Sequence, residues 1–121
     1  MATITAKLTL DSTTVSANET LGLSVTDTLT TTNPSVGISN AVLTTAATNL
    51  VPTSSTDIVY FYAKNTDSTQ TVVLETINGT QAFSDLSPTE ICFFPIKAAQ
   101  GVRAKSAAGT AVLEYAYWTK G

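Results

Sequence analysis

Histidine is absent from this chain of 121 residues. Its absence removes the commonest general base and the commonest metal ligand together. A Ser-His or Cys-His nucleophile pair is impossible within one chain. The single cysteine, Cys92, excludes an intramolecular disulfide framework and leaves zinc with one thiolate and no imidazole. Cys92 lies in the run Glu90-Ile91-Cys92-Phe93-Phe94, where a free cysteine is expected to act as a small buried hydrophobe. A reactive or metal-binding thiol is the lesser alternative.

Charge is scarce as well. Charged residues are 12% of the chain, about half the usual share. A surface that poor in charge suits a protein buried in contacts with other chains better than a free monomer. The formal charge is −3, and the basic residues are scattered as Lys7, Lys64, Lys97, Arg103, Lys105 and Lys120. Only Arg103 and Lys105 are close in sequence, so the footprint a phosphate backbone needs is missing and nucleic acid is not an expected partner. The start has no basic segment followed by an apolar one, so no secretory signal is read there. No apolar run approaches bilayer-spanning length, and no membrane partner is expected.

Aromatics are missing from one half only. None of the nine lies in the first 57 positions, which are about two-fifths Thr and Ser, and residues 28–56 carry no charge. Aromatic side chains bury the most area per residue. The packing nucleus is therefore expected in residues 57–121, with residues 1–56 wrapping it or contacting partner chains. The length fits one domain spanning residues 1–121. At 43% hydrophobic the chain is too apolar to stay unfolded.

What is present is alternation. Ile4, Ala6, Leu8 and Leu10 alternate with Thr3, Thr5, Lys7 and Thr9; Leu21, Leu23, Val25 and Leu29 alternate with polar residues, with Asp27 breaking the apolar side. Period two with a threonine face reads as half-buried strand. Turn residues separate the two at positions 11–14 and 16–19, and Asn33-Pro34-Ser35 is a further break. Residues 36–51 read as strand or extended arm, because their threonines and lack of charged helix formers disfavour helix. Residues 52–56 form a loop between the halves.

Residues 58–63 are apolar on both faces, and turn residues 64–68 close them. A strand at 70–77 leads through Asn78-Gly79, a two-residue hairpin signal, into Gln81-Ala82-Phe83. Residues 90–96 form a strand that Pro95 marks as an edge or a bulge. Strands at 101–104 and 110–118 finish the chain. The sum is seven to nine short strands and no long helix, an all-β antiparallel β-sandwich or jelly roll. Most strands of a free sandwich show one wet face. Those around Tyr60, Phe93 and Tyr115 do not, so a covering arm or another subunit is expected on them.

Chemistry-bearing constellations are thin. The carboxylates Asp11, Glu19, Asp27, Asp57, Asp67, Glu75, Asp85, Glu90 and Glu114 are spread singly, so a glycosidase-type pair is not expected. Asn65-Thr66-Asp67 and Asp11 are weak calcium candidates without EF-hand spacing. Asn78-Gly79-Thr80 and Ala108-Gly109-Thr110 read as hairpin turns and not as phosphate loops. Asn18-Glu19-Thr20 and Asn78-Gly79-Thr80 match the glycosylation triplet by chance. Tyr115, Tyr117 and Trp118 could form a sugar-stacking platform, against the expectation of core on one side and interface on the other. No catalytic, cofactor-binding or metal residue is assigned, no cofactor is expected, and the chain is not read as an enzyme.

Three segments carry a resemblance. They are Val59-Tyr60-Phe61-Tyr62-Ala63-Lys64-Asn65-Thr66-Asp67-Ser68, then Leu86-Ser87-Pro88-Thr89-Glu90 followed by Phe93-Phe94-Pro95, then Gly109-Thr110-Ala111-Val112-Leu113-Glu114-Tyr115. Their order resembles small virion accessory proteins of tailed bacteriophages. The opening Ala-Thr-Ile-Thr-Ala-Lys-Leu-Thr-Leu and Leu23-Ser24-Val25-Thr26 are similar to structural proteins of marine cyanophages. Thr89 stands where a glycine often precedes the glutamate, which leaves that turn's type open. The resemblance implies a β-sandwich on a capsid or tail, without enzymatic activity. The expected role is capsid decoration or cement, with a tail, fibre or baseplate part as the alternative and a carbohydrate-binding module as a further one. The implied partners are the major capsid protein or other virion proteins, with a homo-oligomer expected. The implied location is the virion, reached from the host cytoplasm.

Overall fold

The computed structural model of the chain describes residues 2–11, 22–32, 38–54 and 57–120. The turns expected at 12–14 and 16–19, the break at 33–35 and the Asn18 triplet lie outside these. Among the described residues the chain forms ten strands and no helix: β1 (Ala2–Asp11), β2 (Gly22–Thr32), β3 (Ser39–Leu43), β4 (Thr48–Val51), β5 (Ile58–Asn65), β6 (Val72–Glu75), β7 (Ala82–Leu86), β8 (Ile91–Lys97), β9 (Val102–Ser106) and β10 (Ala111–Lys120).

The strands form two antiparallel sheets, as a β-sandwich requires. The larger runs β1-β2-β10-β5-β8, with β3 also paired to β10; the smaller runs β4-β9-β6-β7. The all-β sandwich expectation holds, with one strand more than expected. The extra one arises because residues 36–51 do not stay in one sheet. β3 pairs with β10 in the larger sheet, the chain turns at residues 44–47, and β4 pairs with β9 in the smaller one.

Most later connections also cross from sheet to sheet. Of the two glycine turns read as hairpins, Gly109 is instead in a crossover from β9 to β10, strands that do not pair. The Asn78-Gly79 hairpin does join β6 to β7, but through a longer loop than two residues. The Thr76 amide donates to the Gln81 carbonyl at 2.9 Å, and both Gly79 (φ 84°) and Thr80 (φ 49°) are left-handed. A register shift between Leu74 and Glu75 accompanies the extra length. Pro95 sits on β8, an edge strand of the larger sheet, where its missing N–H leaves no interior ladder broken.

The core lies between the sheets. Phe61, Ala63 and Leu113 of the larger sheet face Val72, Leu74, Val102 and Ala104 of the smaller one. Most of it comes from residues 57–121, but Leu43, Leu50 and Val51 of the first half are in it too. Phe61 is fully buried, and its ring meets Phe94 edge-on at 5.8 Å.

Asn65 closes one end of the sandwich from inside. Fully buried, it donates from Nδ2 to the carbonyls of Gln70 (2.7 Å) and Leu86 (2.9 Å) and accepts at Oδ1 from the Asp67 amide (3.0 Å). The residue read as part of a surface turn is thus a bolt between β5, the following loop and β7.

Candidate interaction surface

β5 is flanked by β10 and β8, and the register lays their outward residues in rows. Trp118, Tyr60 and Pro95 form one row; Ala116, Tyr62 and Phe93 the next; Glu114, Lys64 and Ile91 the third. Every aromatic except Phe83 lies on these three strands. The inward rows supply core, and the outward rows make an aromatic outer face on the larger sheet. Tyr60 and Phe93 stack with centroids 6.4 Å apart, leaving Tyr60 only 8% exposed. The Tyr62 hydroxyl donates to Glu114 Oε1 at 2.7 Å. Burial, then that bond and the carboxylate's charge, push the phenol up to about 12.

β1 and β2 extend this sheet as a two-stranded ribbon, paired from Ala2–Thr31 to Asp11–Gly22. It joins the body through Thr32–Thr119 and Thr31–Lys120. Because cross-strand partners share a face, Ile4, Ala6, Leu8 and Leu10 lie beside Leu29, Asp27, Val25 and Leu23. The threonines take the other face. The apolar face is open: Leu8 and Val25 are each half exposed. A groove of about 560 Å³ runs between Ile4, Leu8 and Val25 on the ribbon and Tyr62, Phe93 and Trp118 on the sheet. Asp27, the residue that breaks the apolar pattern, is the ribbon's carboxylate in that groove.

The outer face of the smaller sheet is the opposite in character. Glu75 is 5% exposed there and lies between Arg103 Nη2 (3.2 Å) and Lys105 Nζ (3.4 Å). Burial alone would raise its pKa; the Arg103 hydrogen bond and the charges of Arg103 and Lys105 outweigh that and hold it below 4.5. The Lys105 contact is an ion pair that falls short of hydrogen-bond geometry, as Oε1 has no hydrogen-bond partner. This face pairs its buried carboxylate with two cations, whereas the other exposes Ile91, Phe93 and Val42. Exposed apolar area of that kind makes this face the candidate contact surface.

The other sequence candidates fall as follows. Tyr115 and Tyr117 pack inward against the core while Trp118 points outward, so the three do not share one platform. Glu75 and Glu114 lie on different sheets. Asp67 caps its own loop, accepting from the amides of Thr69 (3.0 Å) and Gln70 (2.8 Å), which lowers its pKa. Asn65 has both ends of its amide engaged, and among the described residues no three Cys, Asp or Glu gather as a metal-holding group. Cys92 is half-buried against the core, and burial pushes its thiol up to about 11.

The first half, residues 1–56, expected to wrap the core or contact partner chains, divides. Leu43, Leu50 and Val51 are core, while Ile38 and Val42 are exposed. The larger open apolar surface joins two places expected separately as contact regions: a ribbon face from residues 2–11 and 22–29 of the first half, and an aromatic face around Tyr60 and Phe93 in the second. Alternation in β1 and β2 was its signal, read as half-burial against the body and not as an open face. No protein family, curated protein or solved structure matches the chain.

Proposed function

We propose that this is a non-enzymatic structural protein of a virion, a decoration or cement protein bound to the assembled head of a tailed phage. The observation that carries the reading is the open apolar surface formed by the ribbon and the outer face of the larger sheet, in a chain with little charge. Such a surface is stable in water only at a cost and is stabilised when a partner covers it. The virion context rests on the resemblance of the β5, β7–β8 and β10 segments to phage accessory proteins. In this reading the ribbon and aromatic face lie against the shell, and the charged outer face of the smaller sheet stays wet.

The test is immunogold labelling of intact particles, followed by rebinding of purified protein to stripped particles. Label on heads and rebinding lost in Phe93→Asp and Val25→Asp, with circular dichroism unchanged, is the expected result. Label on tails would assign the protein to a tail, fibre or baseplate. Absence of label on any particle refutes the reading.

A further inference from the structure

β1 ends the larger sheet, and among the described residues no strand pairs with its outer edge. A ten-residue edge of that kind presents a row of unpaired N–H and C=O groups to any matching strand. We propose that the matching strand is β1 of a second copy of this chain, added antiparallel across a twofold axis, so that two ribbons become one four-stranded sheet.

The charges on β1 select the register. β1 carries one cation, Lys7, and one anion within the described strand, Asp11; both are exposed and both lie on the threonine face. A twofold axis normal to the sheet sets residues of like face opposite each other. Centred on Thr9, it overlaps residues 7–11 of the two strands and places Lys7 opposite the partner's Asp11 and Asp11 opposite the partner's Lys7. On the other face it places Leu8 opposite the partner's Leu10, twice. Centred on Lys7, it would set two ammonium groups against each other, which is unfavourable. Centred on Ala6, it would pair neither charge with an opposite one. Lysine on an edge strand often serves to block pairing; here the same residue blocks one register and rewards another. The joined sheet also doubles the continuous Leu8, Leu10, Leu23 and Val25 surface, giving a larger contact face than one copy has.

This interface is separate from the face assigned to the shell. A dimer that binds no particle would leave it standing and sink the shell reading; particle binding by a strict monomer would do the reverse.

The experiment is sedimentation velocity of the full chain over a concentration series, with paired charge reversals. Lys7→Asp alone and Asp11→Lys alone each convert two attractions into two repulsions and should weaken the dimer by about tenfold or more. The double variant Lys7→Asp/Asp11→Lys should return to within about threefold of wild type, since the swapped pairs regain opposite charge. Thermal melts check that each variant folds. Register is read independently by cross-linking in a Cys92→Ala background. Cα atoms directly opposite in antiparallel strands are about 4.5–5.5 Å apart, within disulfide reach. Diamide, which takes up the two electrons and two protons lost by the thiols, should therefore link Thr9→Cys into a dimer and leave Ala6→Cys monomeric. A monomer at all concentrations, a double variant as weak as the singles, or equal linking at both positions would overturn the proposal.

Discussion

Replacing Asn65 by alanine tests whether one amide fastens the end of the sandwich. The side chain makes three hydrogen bonds of 2.7–3.0 Å and has no exposed surface. Each such bond contributes on the order of 1 kcal/mol net. Alanine also orphans the Leu86 carbonyl in a buried position, which adds roughly 1–3 kcal/mol. The two backbone bonds, from the Asn65 amide to the Glu90 carbonyl and from the Thr89 amide to the Asn65 carbonyl, survive the change. The loss should therefore be about 4–6 kcal/mol, a large part of the roughly 5–15 kcal/mol that holds a domain of this size. Urea unfolding followed by the fluorescence of Trp118, the only tryptophan, measures it.

Asn65→Asp sharpens the argument. It keeps an acceptor for the Asp67 amide but turns an oxygen onto two carbonyl oxygens. A carboxyl buried there is expected to have its folded pKa raised, so its protonated form can donate where the carboxylate cannot. Relative to wild type, this variant should be least stable at neutral pH and regain stability as pH falls below that raised pKa. A loss under about 1 kcal/mol for alanine, or an aspartate variant equal to wild type at pH 7, would refute the reasoning.

Other expectations follow from the same structure. Thr89, a β-branched residue at φ 71°, should gain about 1 kcal/mol on replacement by glycine, the relief of left-handed strain exceeding the added chain entropy. A melting temperature that does not rise would count against it. Gly101, at φ 66° with Ile77 Cδ1 and the Val51 carbonyl 2.8 and 3.0 Å from where a Cβ would stand, should lose at least about 2 kcal/mol on change to alanine; chemical denaturation reads this directly. Glu75 has a lowered pKa, so its contribution is present above its unfolded value and lost as pH falls below about 4.5 toward the folded one. Glu75→Gln should therefore flatten the acid limb of the stability–pH curve, and an unchanged limb would show that other groups set it. Raising the Cys92 thiol from 9.0 to about 11 cuts its thiolate fraction about a hundredfold. Thiol labelling at pH 8 should thus be at least that much slower in folded than in urea-unfolded protein.

The sequence by itself determined that the chain is all β and where most strands run, and it narrowed β8 to an edge strand or a bulge. Those properties are local. Alternation in β1 and β2, the double apolar faces of β5 and β8, and the proline at position 95 each act within a few residues. The half-buried, core-facing place of Cys92 followed from the same kind of neighbourhood. Only the tertiary structure decided which strands are neighbours, because pairing joins residues far apart in the chain and leaves no periodic mark on either. Residues 36–51 show the limit: one extended stretch by composition becomes two strands in opposite sheets, because β10 and β9 offer edges on different layers. Asn65 shows it again, a turn residue by local rule and a buried bolt once Leu86 and Gln70 are brought beside it. The scarcity of aromatics in the first half was visible from the start. Its meaning came only when β8, β5 and β10 were set side by side, since alternation then sends half of their rings into the core and half onto one outer face.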